Sequence, residues 1–98
     1  WMFTVLLRPD ASIDRDAWIR ELANRGVESR PVFYPIHTMP AYRSGSGSFP
    51  IAERCAKLGI NLPTHGNLSR EDVSYVCEHA VASWHAVRER SVPRKRAA

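Results

Sequence analysis

Arg30 to Pro40 reads RPVFYPIHTMP, and this stretch divides the chain. Its eleven residues hold one guanidinium, two aromatic rings, one imidazole and three prolines. Proline fixes φ, removes a backbone donor and pushes the residue before it toward extended backbone. Pro31, Pro35 and Pro40 therefore hold the segment open and keep it from becoming helix. A stiff loop carrying Arg30, Phe33, Tyr34 and His37 presents those side chains to a ligand, or it is a strand end whose aromatics pack in the core. Composition alone leaves both readings open.

Working back from that loop, residues 27–33 (VESRPVF) read as a strand. Pro31 inside it makes it an edge strand or a bulge. Its alternation puts Val27, Ser29 and Pro31 on one face and Glu28, Arg30 and Val32 on the other. Gly26 stands where a left-handed residue ends a helix. That helix is predicted over 15–25, with the stripe Trp18, Ile19, Leu22 and Ala23. Asp14 or Ser12 is its cap, and Asp16 in the first turn suits the helix dipole. The opening WMFTVLL, residues 1–7, is near-continuously apolar, so a strand covered on both faces is expected. A chain that opens inside a buried strand is expected to be a piece of a longer polypeptide.

Working forward, Ser44 to Ser48 is a Gly/Ser run of the flexible kind. Pro50 suits the first turn of a short helix over 50–58, with Ile51, Ala52, Cys55 and Leu58 inward and Gly59 at its end. Ile60 to Pro63 adds a very short third strand. Ser69 and Asp72 form a capping box with Asp in place of Glu. The last helix, 70–89, repeats apolar residues at Val73, Cys77, Ala80, Trp84 and Val87, widened by Val76 and Val81. Strand, helix, strand, short helix, short strand, helix gives an α+β layer: a small sheet with helices on one face.

At 98 residues the chain is one domain at most. Its net charge of +4 resides in residues 88–98, where Arg88, Arg90, Arg94, Lys95 and Arg96 face only Glu89. The body, residues 1–87, is balanced at nine basic and nine acidic side chains, so no basic folded face for nucleic acid is indicated. The basic end reads as a disordered, solvated tail. No apolar run approaches the ~20 residues that span a bilayer, and no signal peptide is visible. Cys55 and Cys77 lack CxxC spacing and sit on apolar helix faces as small hydrophobes, which fits a reduced, cytoplasmic protein.

The four histidines and two cysteines show no metal spacing, and GSGS is followed by Phe49-Pro50 rather than by a phosphate-loop lysine. His65, in LPTHGN, reads as an exposed turn residue. That leaves Arg30, Tyr34 and His37. Arginine grips phosphate with two charge-assisted bonds, histidine can donate to an oxygen, and tyrosine offers a ring and a hydroxyl. Together they suit a phosphorylated, hydroxyl-rich small molecule.

The ordered series WMF, RGVESRPVFYPIHTMPAY, FPIAERCAKLGINLPT and LSREDVSYVCEHA resembles the C-terminal part of the DegT/DnrJ/StrS family, pyridoxal-phosphate-dependent sugar-nucleotide aminotransferases. RPVFYPIH and GINLPT are most similar to its perosamine-synthase branch, which aminates a GDP-linked 4-keto-6-deoxy sugar. The resemblance covers residues 1 to about 82. It implies a small C-terminal domain of a fold-type-I enzyme, with a three-stranded antiparallel sheet, ending near residue 87. It further implies a homodimer, a nucleotide-sugar substrate, an amino-acid donor, and pyridoxal phosphate bound by a large domain absent from this chain. Arg30, Tyr34 and His37 would be the substrate contacts, at the mouth of the active site. No catalytic or cofactor-binding residue is expected here, since neither Lys57 nor Lys95 lies where an amine would be desolvated and activated. The isolated chain is accordingly expected to be inactive. The alternatives are a dehydratase of the same superfamily, a stand-alone docking module, and a weak nucleic-acid contact through the basic end.

Overall fold

The computed structural model describes residues 1–43 and 47–92. Three strands, β1 (Phe3–Leu6), β2 (Arg30–Pro31) and β3 (Gly59–Leu62), form an antiparallel sheet in the order β1-β3-β2. The last strand in sequence is thus the central one. Three α-helices accompany it: α1 (Arg15–Asn24), α2 (Pro50–Leu58) and α3 (Arg70–Ser91).

Local chemistry fixes the helix ends. Asp14, rather than Ser12, caps α1 by accepting from the Asp16 amide. At the other end Gly26 adopts φ +78°, and the Gly26 and Val27 amides donate to the carbonyls of Ala23 and Leu22. That is a Schellman ending, which needs a residue without Cβ strain. Pro50 occupies the first turn of α2, and Gly59 ends it. Both halves of the Ser69–Asp72 capping box are formed at α3.

The register decides which face is buried. Val5, Ile60 and Pro31 lie side by side, as do Thr4, Asn61 and Arg30 on the opposite face. The Val5–Ile60 face meets α1 and α3 over a core of Leu7, Trp18, Leu22, Val27 and Ile60, with Val76, Ala80 and Trp84 packed against it. Gly59 permits the tight approach of strands and helix: a Cβ there would stand 2.7 Å from the Cys55 carbonyl and would meet the side chains of Val32 and Leu6.

Several expectations need correction. β1 is not covered on both faces: Leu6 is exposed because α1 and α3 pack on the Val5 side alone, and Phe3, on that side, is exposed at the strand's first residue. The strand expected over 27–33 is laddered only at Arg30–Pro31, where Pro31 makes it an edge, and the Val32 amide adds one bond to Gly59. The loop after it holds two 3-10 turns, Ile36–Thr38 and Pro40–Tyr42, each opened by a proline. In α2, Ile51 and Ala52 are exposed, and the half-buried residues are Cys55, Ala56 and Leu58. The helix is held at its last turn, where Arg15 donates to the carbonyls of Ala56 and Gly59.

The buried stripe of α3 is also rotated from the expected one. Val73, Cys77 and Val81 are exposed, and the stripe runs Val76, Ala80, Ser83, Val87, with Trp84 at its border. Ser83 is fully buried because the indole nitrogen of Trp18 donates to its hydroxyl at 2.9 Å. α3 runs to Ser91, so Arg88 and Arg90 belong to the helix: Arg88 lies over the Trp84 ring, and Arg90 pairs with Glu21 of α1. Residues 44–46 of the Gly/Ser run and 93–98 of the basic end lie outside the described residues.

Candidate functional site

Beside the β2 edge lies a groove of about 860 Å³. One wall is the backbone from Gly26 to Tyr34; the facing wall is the Pro63–His65 turn and the first turns of α3. Leu62, Leu68 and Val76 give it an apolar floor. The mouth is aromatic, with Tyr34 exposed and the Trp1 and Phe33 rings 6.3 Å apart.

Arg30 enters the groove from β2, where edge position and register place it beside Asn61 on the uncovered face of the sheet. Its guanidinium donates to Glu28 Oε1 at 2.8 Å, with both side chains more than three-quarters exposed. An ion pair so solvated contributes ~0–1 kcal/mol, so an incoming anion can take the arginine at small cost. Ser29, also on this wall, has a buried hydroxyl with no hydrogen-bond partner in the protein.

His37 lies elsewhere. Arg30 and Tyr34 share the groove, but His37 is not among its lining residues. Its Nε2 is 3.0 Å from Glu53 Oε1 on α2, and its ring packs on Phe49 with centroids 4.8 Å apart. The His37 hydrogen bond, and then the Phe49 amide, hold the Glu53 carboxyl below its ordinary value.

Asn61, His65, Tyr75, Met39 and Trp1 line the groove as well. None was singled out as a contact from sequence, for only folding brings them to the β2 edge. His65 is an exposed turn residue as expected, its carbonyl accepting from the Leu68 amide. Tyr75 carried a polar signal on the exposed side of α3, and its hydroxyl donates to the Arg25 carbonyl at the end of α1.

An anion grip, a ring at the mouth and an apolar floor can hold a phosphorylated organic molecule. They do not fit the covalent anchor of pyridoxal phosphate. Among the described residues the one lysine is Lys57, exposed on α2 and not among the residues lining the groove, so its amine is solvated. Among the described residues, therefore, no amine lies in the apolar, desolvated setting that such chemistry needs.

The model of the DegT/DnrJ/EryC1/StrS aminotransferase family matches residues 1–81. The chain belongs to this family. It is 45% identical over 78 residues to GDP-perosamine synthase of Escherichia coli O157:H7, covering 80% of this chain and 21% of that protein. Against GDP-perosamine synthase of Caulobacter vibrioides the figures are 46% over 77 residues, 78% of this chain and 21% of that protein. Among solved structures, the aminotransferase TlmJ from Streptoalloteichus hindustanus superposes with a TM-score of 0.74 at 39% identity, over 87% of this chain and 22% of that one. This DegT-family chain thus spans about a fifth of the length of the curated relatives it matches. Its fold is that of a small domain of a fold-type-I enzyme, as the resemblance implied.

Proposed function

We propose that this chain is the C-terminal small domain of a pyridoxal-phosphate-dependent aminotransferase acting on a nucleotide-linked keto-deoxy sugar. The observation that carries this reading is the meeting of Arg30 and Tyr34 at one groove in a chain of this family. The likeness to proteins named GDP-perosamine synthase supports a GDP-linked sugar, and a 4-keto-6-deoxy sugar is the substrate we assign to it. Arg30 exchanges Glu28 for a phosphate of the nucleotide. Tyr34 supplies a ring and a hydroxyl at the mouth, and the apolar floor takes up the less polar parts of the ligand. His37 acts on the same site from behind the rim.

Pyridoxal phosphate is the family's cofactor. In this reading it is held by a larger domain outside the chain, in a homodimer, and it supplies the amine transfer from an amino-acid donor. This chain's own residues bind and orient the substrate and line the path to it.

In the full-length enzyme, R30A should raise KM for the nucleotide sugar about tenfold to a hundredfold, as expected for a lost charge-assisted phosphate bond. Its Tm should change by little, because the Glu28 pair is exposed. Y34A should act in the same direction with a smaller effect. Unchanged KM, or loss of folding with no selective kinetic effect, would overturn the assignment. With pyridoxal phosphate alone the isolated chain should develop no Schiff-base absorbance; such a band would refute the division of labour.

A further inference from the structure

Between Tyr34 and Met39, both of which line the groove, the chain turns through Ile36–Thr38. This turn is closed by its own bonds: the Thr38 amide and hydroxyl both donate to the Pro35 carbonyl, and the Met39 amide to that of Ile36. Arg43 closes the next turn by donating to the Thr38 carbonyl. The unit is internally braced, so it moves as one piece. Its position depends on what ties it to the rest of the chain. Among the described residues, the His37–Glu53 bond is the side-chain hydrogen bond that joins the unit to α2. Glu53 Oε1 accepts in addition from the Phe49 amide, and Phe49 is the ring on which the imidazole rests. A carboxylate can only accept, so Nε2 of His37 must be the donor.

We propose that Glu53, outside the groove, is a positioning residue: it fixes His37 with its Nε2 protonated and thereby fastens the Pro35–Tyr42 turns, so that Tyr34 and Met39 hold the groove's rim in place. The role in substrate binding rests on the groove reading above; the clasp itself does not. A carboxylate on α2 thus governs a rim on the far side of the loop without touching what enters the groove.

The clasp is tested without ligand, by proton–nitrogen correlation spectra of the His37 ring and the methyl resonance of Met39 in the full chain. Wild-type protein should show a protonated Nε2. E53A should mix the ring's tautomers and move the Met39 methyl, while the signals of Trp18 and Leu22 in the core stay in place. E53Q, which keeps an acceptor oxygen, should restore both. Unmoved His37 and Met39 signals in E53A, global unfolding of E53A, or failure of E53Q to restore them would each overturn the proposal. In the full-length enzyme E53A should raise KM roughly tenfold with a smaller change in kcat, and E53Q should recover it. Failure of the groove reading shows differently, as R30A enzyme with unchanged KM.

Discussion

The indole of Trp18 and the hydroxyl of Ser83 define what the core requires residue by residue. Trp18 is 4% exposed and its nitrogen is satisfied only by α3, at Ser83 and at the Ala80 carbonyl. W18A should therefore cost ~3–5 kcal/mol, whereas W84A should cost less, because the Trp84 ring lies at the core's border under Arg88. S83A should cost ~1 kcal/mol, because the indole retains its contact with Ala80. Urea denaturation of the three variants measures the order, and W84A more destabilising than W18A would contradict it. This order could not be read from sequence. The periodicity of α3 favoured Trp84 and Cys77 because they are apolar, and it passed over Ser83. A serine becomes a core residue only when another element brings it a donor, and Trp18 is 65 residues away. Arg30 and Tyr34 were legible as site candidates because a proline-braced loop advertises its side chains. The partner of His37 was not, since Glu53 reaches it from another element.

At the scale of elements, the helix ends were legible and the strand extents were not. Asp14, Gly26, Pro50 and the Ser69–Asp72 box act within a few residues of themselves, so sequence carries their whole mechanism. β2 is laddered only at Arg30 and Pro31, opposite Asn61 and Ile60 in the middle of β3, and that partner is read only much later in the chain. The cap of α3 also carries a pH signature. The Ser69 amide, then its hydroxyl, and more weakly the charge of His65, hold the Asp72 carboxyl below its ordinary value. The folded state therefore binds that proton less readily than the unfolded chain does. The stabilisation is fully present above the ordinary aspartate range and is lost as pH falls through the lowered folded value. D72N should be less stable than wild type at neutral pH, with the difference shrinking toward pH 3 in thermal melts. A gap that stays constant with pH would show that the carboxylate is not what matters. S69A should lose ~1 kcal/mol through the same cap.

The whole molecule is a one-sided layer. α1 and α3 cover the Val5–Ile60 face, and the other face leaves Leu6 and the polar row Thr4–Asn61–Arg30 open. Large apolar side chains cluster in the exposed set at the sheet edge and loop, among them Trp1, Phe3, Phe33, Tyr34 and Ile36. Surface of that kind marks an interaction or ligand face. The layered fold followed from element order and apolar pattern. The groove did not, because its walls come from five separated stretches, at Trp1–Met2, Gly26–Tyr34, Met39, Asn61–Leu68 and the start of α3. The most direct test of the central claim is to titrate the nitrogen-15-labelled chain with a GDP-linked 6-deoxy sugar and map the shift changes. The account predicts changes centred on Arg30, Tyr34, Asn61 and Tyr75, weakened in R30A. Changes centred instead on the exposed Cys77–Val81 face of α3, or none at a ligand concentration that saturates the full-length enzyme, would contradict it.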